Sequence, residues 1–210
     1  RHAGKIEWVG DLIGDEFKQW GHELVAIEAM TFTGKTSFIL GPLLDWCEKT
    51  AYTVRPPMKI LILCNRSSLK LDILNEYNIK RKNLKIIKQS TDEIRCTLYE
   101  FDLVEIYTYQ YWEQMLAKNP EWVMREWKNY RYIVLDEIQH VNDDAEFIEN
   151  TDLLYDAILK ARKFATVIAM TATPGNLFTT WLADGLLMRN RYYRLPKKMS
   201  HFTKAYVYSR

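Results

Sequence analysis

The sequence predicts an α/β domain whose mostly parallel sheet is covered by helices on both faces, and three observations carry that prediction. Short apolar runs (Leu24-Val25-Ala26-Ile27, Lys59 to Cys64, Tyr132 to Leu135) alternate with segments of helical period, as strands buried on both faces by crossover helices do. The first run leads into Ala29, four more residues and Gly34-Lys35-Thr36, the spacing of a phosphate-holding loop between a strand and a helix. The run ending at Leu135 passes directly into Asp136-Glu137, and in open α/β sheets ligands sit beyond the carboxyl ends of the strands.

Taken in order, residues 1–20 carry Ile6, Trp8, Val9, Leu12, Ile13, Phe17 and Trp20 at helical intervals broken by Gly10 and Gly14, which predicts an interrupted helical lead-in. Leu24 to Ile27 is a buried strand, and Lys35 to about Thr50 is a helix kinked at Gly41-Pro42. Lys59 to Cys64 is a strand bounded by Pro56-Pro57 and the polar Asn65-Arg66-Ser67-Ser68, followed by a helix from Leu69 to about Tyr77. Between Lys80 and Phe101 one strand is expected around Leu84, Ile86 and Ile87. Val104 to Tyr107 is a strand, and helices at Tyr111 to Lys118 and Glu121 to Asn129 break at Asn119-Pro120. Tyr132 to Leu135 is a strand, Asp152 to Arg162 a helix, and Thr166 to Met170 a strand. Thr171-Ala172-Thr173-Pro174-Gly175 is a turn opening a last helix through about Asp184.

The 210 residues suit one α/β domain and are too few for two of average size with linkers, so residues 1–210 are expected to form a single unit. A composition of 48% hydrophobic and 27% charged residues is that of a soluble globular chain, and no apolar run approaches the ~20 residues of a membrane helix. The chain opens on Arg1 without a signal-peptide pattern, as an excised piece would. Cys47, Cys64 and Cys96 are odd in number and form no Cys-x-x-Cys pair, so they read as small buried hydrophobes in a reducing, cytoplasmic setting. A net charge of +2 does not by itself announce a nucleic-acid partner.

The residue types explain the chemistry expected at the two strand ends. Backbone N–H groups from Ala29, Thr31, Thr33 and Gly34 through Ser37 converge on an anion at the positive end of the next helix, and Lys35 reaches the outer phosphates. The Thr36 hydroxyl is a hard oxygen ligand suited to Mg²⁺, and Asp136 is placed to share that ion. Glu137 is placed to orient and deprotonate an attacking water. Phe32 stands where such a loop calls for positive φ or close approach, so its ring is expected to crowd the phosphates.

Five segments together resemble the helicase superfamily 2 motor, the group containing DEAD-box and DEAH-box proteins and type III restriction translocases. Ala29 to Thr36 resembles motif I, Asp136 to His140 the DExH form of motif II, and Thr171 to Pro174 motif III; Cys64 to Leu69 looks like motif Ia and Thr108-Tyr109-Gln110 like motif Ib. They stand in family order over about Val25 to Pro174. The usual motif I has Pro where Met30 stands and Gly where Phe32 stands. The resemblance implies a RecA-like ATP-binding lobe that uses ATP and Mg²⁺, with His140 in the catalytic set, Thr171 and Thr173 coupling the two activities, and Arg66, Ser67, Ser68, Thr108, Tyr109 and Gln110 on the backbone of DNA or RNA, most simply single-stranded and read without sequence preference. Gln19 is the one candidate for the glutamine that reads adenine in the family. The residues after Pro174 are too few for a second RecA-like lobe with its arginine finger, so residues 190–210 are expected to begin a connection to a lobe outside this chain.

Each segment also has a plainer explanation. The loop could be an ordinary strand-to-helix turn, Asp136-Glu137 could cap the following helix, Thr173-Pro174 is a good helix start, and Arg66 to Ser68 could cap a helix. Tyr107, Tyr109, Tyr111 and Trp112 suit a core better than a base-stacking platform, and the basic clusters at Lys80 to Lys88 and Arg189 to Lys198 suit solvated faces. A nucleotide-binding or structural module on the same fold is therefore the rival to a motor. A terminase-type packaging ATPase is a third reading, disfavoured by the Thr-Ala-Thr-Pro segment.

Overall fold

A computed structural model describes residues 7–54, 58–65, 84–89, 93–98, 101–139, 141 and 151–195. Eight strands form one sheet: β1 (Leu24–Glu28), β2 (Ile60–Cys64), β3 (Leu84–Gln89), β4 (Glu93–Leu98), β5 (Phe101–Thr108), β6 (Tyr132–Asp136), β7 (Thr166–Thr171) and β8 (Tyr192–Arg194). Their order is β3-β4-β5-β2-β6-β7-β1-β8. The six strands from β5 to β8 run parallel, while β3 and β4 extend that sheet antiparallel at one edge. The sequence reading foresaw the parallel centre but neither β4 nor β8. β4 mixes charged and apolar residues too evenly for a buried run, and β8 is three residues long. Tyr192–Arg194, assigned above to a connection, is thus part of the sheet; its Tyr192 hydroxyl donates to Glu28, and Arg194 Nε lies 3.2 Å from the same carboxylate.

Side-chain alternation along the strands sends residues to two cores. Val25, Ile27, Ile60, Ile62, Val134, Ile168 and Met170 face the lead-in helix α1 (Val9–Ile13) and the helical rod 35–50. Leu24, Ala26, Leu61, Leu63, Ile133, Leu135, Val167 and Ala169 face α4 (Tyr109–Lys118), α5 (Pro120–Trp127), α6 (Thr151–Ala161) and α7 (Leu177–Ala183). The rod consists of α2 (Lys35–Phe38), a π-helical turn at Ile39–Leu43 and α3 (Leu44–Thr50). Pro42 explains the wide turn: it has no N–H to donate, and its ring needs room from the preceding carbonyls.

Element ends follow local chemistry. The Thr108 hydroxyl accepts from the N–H of Tyr111 and caps α4, and Asn119 does the same for Trp122 at the start of α5, where Pro120 holds the first turn. The lead-in is interrupted as expected, α1 giving way to a 3₁₀ turn at Glu16–Gln19. Thr173-Pro174 does not start the last helix: α7 begins at Leu177. The helix foreseen from Leu69 to Tyr77 lies outside the described residues. No described helix is long and apolar enough to cross a membrane. Cys47 and Cys64 are buried free thiols, and burial pushes the Cys47 thiol up to about 12.

Trp181 is fully buried in the second core, its indole N–H donating to the Tyr155 hydroxyl while its ring meets Phe178. Trp181→Ala should lower the unfolding free energy by about 3–5 kcal/mol. Urea denaturation of the two chains checks this, and a loss under about 1 kcal/mol would mean that the core does not close as described.

Candidate active site

Three neighbouring strands, β6, β7 and β1, end side by side, and the loops that leave them form the site. Backbone bonds continue beyond the strand ends: the N–H of Ala29 donates to Thr171 O at 3.0 Å, and that of Ile138 to Met170 O at 3.2 Å. The loop after β1, the acids after β6 and the Thr171 segment are thereby fixed to one another.

The loop from Ala29 to Gly34 turns tightly. Thr33 Oγ1 donates to Met30 O at 2.6 Å, and Gly34 takes a left-handed φ of 84°. The first helical backbone bond is from Phe38 N to Gly34 O, so the N–H groups just ahead of it have no part in the helix ladder. That is the donor arrangement an anion requires at a helix start. Phe32 departs from expectation. Its backbone is left-handed, with φ of 64°, but the ring is 93% exposed and points out of the loop rather than into it. The strain of a non-glycine residue there is roughly 1–2 kcal/mol.

Lys35 is only 7% exposed, and its Nζ donates to Ala29 O at 2.8 Å and lies 3.4 Å from Glu137 Oε1. A buried ammonium must be paired, and this one is paired by the carboxylate at the end of β6. Asp136, at 5% exposure, ends β6 itself, and its backbone carbonyl accepts from the buried Tyr109 hydroxyl at 3.0 Å. Glu137 follows in a left-handed conformation, with φ of 53°. Burial works against ionisation of Glu137, but Lys35, hydrogen bonds from Gln139 and Lys35, and one from the backbone at Ala172 outweigh it and hold the carboxyl below its ordinary value of 4.5.

Gln139 is the residue that the sequence reading missed. Its Nε2 donates to Glu137 Oε2 at 2.9 Å, and its Oε1 accepts from the Thr171 hydroxyl, which in turn accepts from the Thr173 N–H at 3.0 Å. The hydrogen bonds therefore run in one direction, from Thr173 through Thr171 and Gln139 to the carboxylate. The signal was present in the motif, since a DExH pattern has histidine fourth and here the fourth residue is Gln139. His140, fifth in the segment, lies outside the described residues.

Other expectations divide. Thr31, Thr33 and Gly34 lie in the loop, and Thr36 and Ser37 in the first turn of α2, whereas the Ala29 N–H, expected to face an anion, is instead taken by Thr171 O. Gln19 is not brought to them. It precedes Trp20, whose carbonyl accepts from Arg131 just before β6, and Gly21, whose carbonyl accepts from Thr166 at the start of β7, so the chain after Gln19 runs past the amino-terminal ends of these strands, the ends opposite the loop. Thr108 and Tyr109 are buried, the first as a helix cap and the second against Asp136, which removes both from a nucleic-acid surface. Gln110 is exposed, and its Nε2 donates to Asn65 at 2.9 Å, which joins the residue after β2 to the first turn of α4. Arg66, Ser67 and Ser68 lie outside the described residues.

The residues present fit a nucleoside triphosphate and its magnesium ion: N–H groups outside the helix ladder and a buried ammonium for phosphate, and the hard oxygens of Thr36 and Asp136 for the cation. Fold and site together define a phosphate-loop ATPase domain of RecA-like type. The sequence matches the model of the DEAD/DEAH box helicase family over residues 17–179, and the chain belongs to that family. No curated protein matches it. In fold it is similar to the N-terminal domain of the DNA packaging ATPase from bacteriophage phi29, at 11% identity and a TM-score of 0.54, covering 90% of this chain and 97% of that one. It is also similar to a chain of the bacteriophage Phi-29 viral genome packaging motor assembly, at 10% identity and a TM-score of 0.52, covering 85% of this chain. The present chain spans 50% of the length of that motor chain. At such identities the likeness is one of fold.

The ionisation of Glu137 makes the site visible in a stability measurement. Because its folded value is lowered, its contribution is fully present above the unfolded value near 4.5 and is lost as pH falls through the folded value. The difference in unfolding free energy between wild type and Glu137→Gln should hold from about pH 7 to 5 and shrink at more acid pH. A difference that grows on acidification would contradict the lowered ionisation.

Proposed function

We propose that this domain is the ATP-binding lobe of a nucleic-acid helicase or translocase, hydrolysing Mg-ATP to change its grip on DNA or RNA. The ion pair between Lys35 and Glu137 carries the reading, because it joins the phosphate loop to the acidic strand end in one site. Lys35 and the loop N–H groups hold the phosphates, with Thr36 and Asp136 as the oxygen ligands for magnesium. When bound, that ion neutralises charge on the phosphate oxygens. Glu137, fixed by Gln139, takes a proton from the attacking water. Arg66, Ser67 and Ser68, together with Asn65 and Gln110, are the residues assigned to the nucleic-acid backbone. A DNA-packaging ATPase is the second reading, favoured by the coverage of the phi29 packaging ATPase domain.

Calorimetry should find Mg-ATP bound by wild type and at least about tenfold more weakly by Lys35→Ala, and equal affinities would sink the assignment. Steady-state phosphate release by the 210-residue chain should be slow, since an arginine finger supplied by another lobe is worth roughly 10³–10⁵ in rate. Glu137→Gln should abolish that turnover while nucleotide still binds. Turnover undiminished in Glu137→Gln would remove Glu137 as the base. Single-stranded DNA or RNA should bind without sequence preference and more weakly as salt rises; anisotropy that is indifferent both to salt and to Arg66→Ala would instead favour a structural role for that segment.

A further inference from the structure

We propose that the cavity at the amino-terminal ends of β1 and β7 is a second phosphate-binding site, which takes a phosphoryl group of a small ester or of a nucleic-acid backbone. It lies at the end of the sheet opposite the phosphate loop, separated from it by the length of strands of five and six residues, roughly 15–20 Å. The proposal goes beyond the function above and does not depend on it.

The cavity has a volume of about 360 Å³, and three segments wall it: His22 and Glu23 at the entry to β1, Arg162 and Lys163 in the turn between α6 and β7, and the chain from Gly185 that follows α7. The segments are tied to one another. The N–H of Val167 in β7 donates to Glu23 O at 2.8 Å, and Arg162 Nη1 donates to Leu186 O at 3.2 Å.

Hydrogen-bond accounting decides which kind of ligand suits the cavity. Basic residues just past a helix commonly answer its last carbonyls, but here backbone N–H groups already do so. At the end of α6, Lys160 O accepts from Lys163 N and Ala161 O from Phe164 N and Ala165 N; at the end of α7, Trp181 O accepts from the N–H groups of Leu186 and Leu187. Glu23 is the one acid among the lining residues, and both of its oxygens are engaged, Oε1 by the Gly21 N–H at 2.8 Å and Oε2 by Arg191 Nε at 2.8 Å. Leu186 O uses one N–H of Arg162. What remains is donor capacity: the rest of the Arg162 guanidinium, the Lys163 ammonium and the His22 ring, none of which has a further partner among the described residues. Two fixed positive charges thus line one cavity whose only carboxylate is already paired. Donors that arrive from separate segments suit a tetrahedral oxyanion, with oxygens directed several ways, better than a planar carboxylate, and guanidinium and ammonium are the side-chain groups that hold phosphate.

The test follows the backbone amides of the full chain by NMR while inorganic phosphate, or separately an oligothymidylate without a terminal phosphate, is added at constant ionic strength, with chloride as the control. Phosphate should shift the amides of His22, Lys163 and Leu186 and saturate in the millimolar range. Lys163→Ala, at an exposed position, should weaken that binding by at least about fivefold, and Lys163→Arg should hold it within about threefold. Amides from Thr33 to Ser37 report the phosphate loop separately, so failure at one site is distinguished from failure at the other. Oligothymidylate that shifts the same amides and is displaced by phosphate identifies the nucleic-acid backbone as the source, whereas shifts with phosphate alone identify a small ester; either result supports the site. No saturable shift at His22 and Lys163 with either probe, an equal shift with chloride, or affinity unchanged in Lys163→Ala would overturn it.

Discussion

A buried ammonium has to be answered by a negative group, and in this protein the answer comes from a different strand. Lys35 lies beneath its own loop, held by Ala29 O and by Glu137 at the carboxyl end of β6. Desolvating Lys35 without that partner would be costly, so the position of the Glu137 backbone, left-handed at φ of 53°, is coupled to the position of the phosphate loop. The pair also leaves the site in a defined state: phosphate entering the loop competes with a carboxylate for the same ammonium.

The sheet makes that pairing available. With β7 between β6 and β1, the two functional strand ends are next-nearest neighbours, and β7 ties both by backbone bonds, to Ala29 on one side and Ile138 on the other. Thr171 at its own end reaches Glu137 through Gln139. An unbroken run of hydrogen bonds thus joins Glu137 to Thr171 and on to the N–H of Thr173, in the segment leading into α7.

The central parallel strands were legible because burial on both faces leaves continuous apolar runs, and Ile60–Cys64 or Tyr132–Asp136 can hardly be anything else. The phosphate loop and acids were legible because their spacing is chemical rather than statistical. What escaped was set by tertiary contact. Gln139 stood in the acidic segment with no role of its own, and only the fold places its amide between Glu137 and Thr171. Gln19 was the one candidate for the glutamine that reads adenine, yet the chain beside it, at Trp20 and Gly21, is held at the amino-terminal ends of β6 and β7, away from the loop, while Trp8, read only as an apolar position of a helix, arrives at Gly34. Tyr109 shows the converse. The resemblance to motif Ib implied a nucleic-acid contact while the residue type suited a core, and burial with the bond to Asp136 O favours the core.

The central claim is that the loop from Ala29 to Thr36 is a phosphate site whose lysine is held in reserve by Glu137. A crystal structure of the chain with Mg²⁺ and a non-hydrolysable ATP analogue tests this most directly. The account predicts phosphates against the loop N–H groups, with the Lys35 ammonium moved from Ala29 O and Glu137 onto phosphate oxygen. Nucleotide bound elsewhere, or phosphates in the loop with Lys35 still on Ala29 O and Glu137, would contradict it.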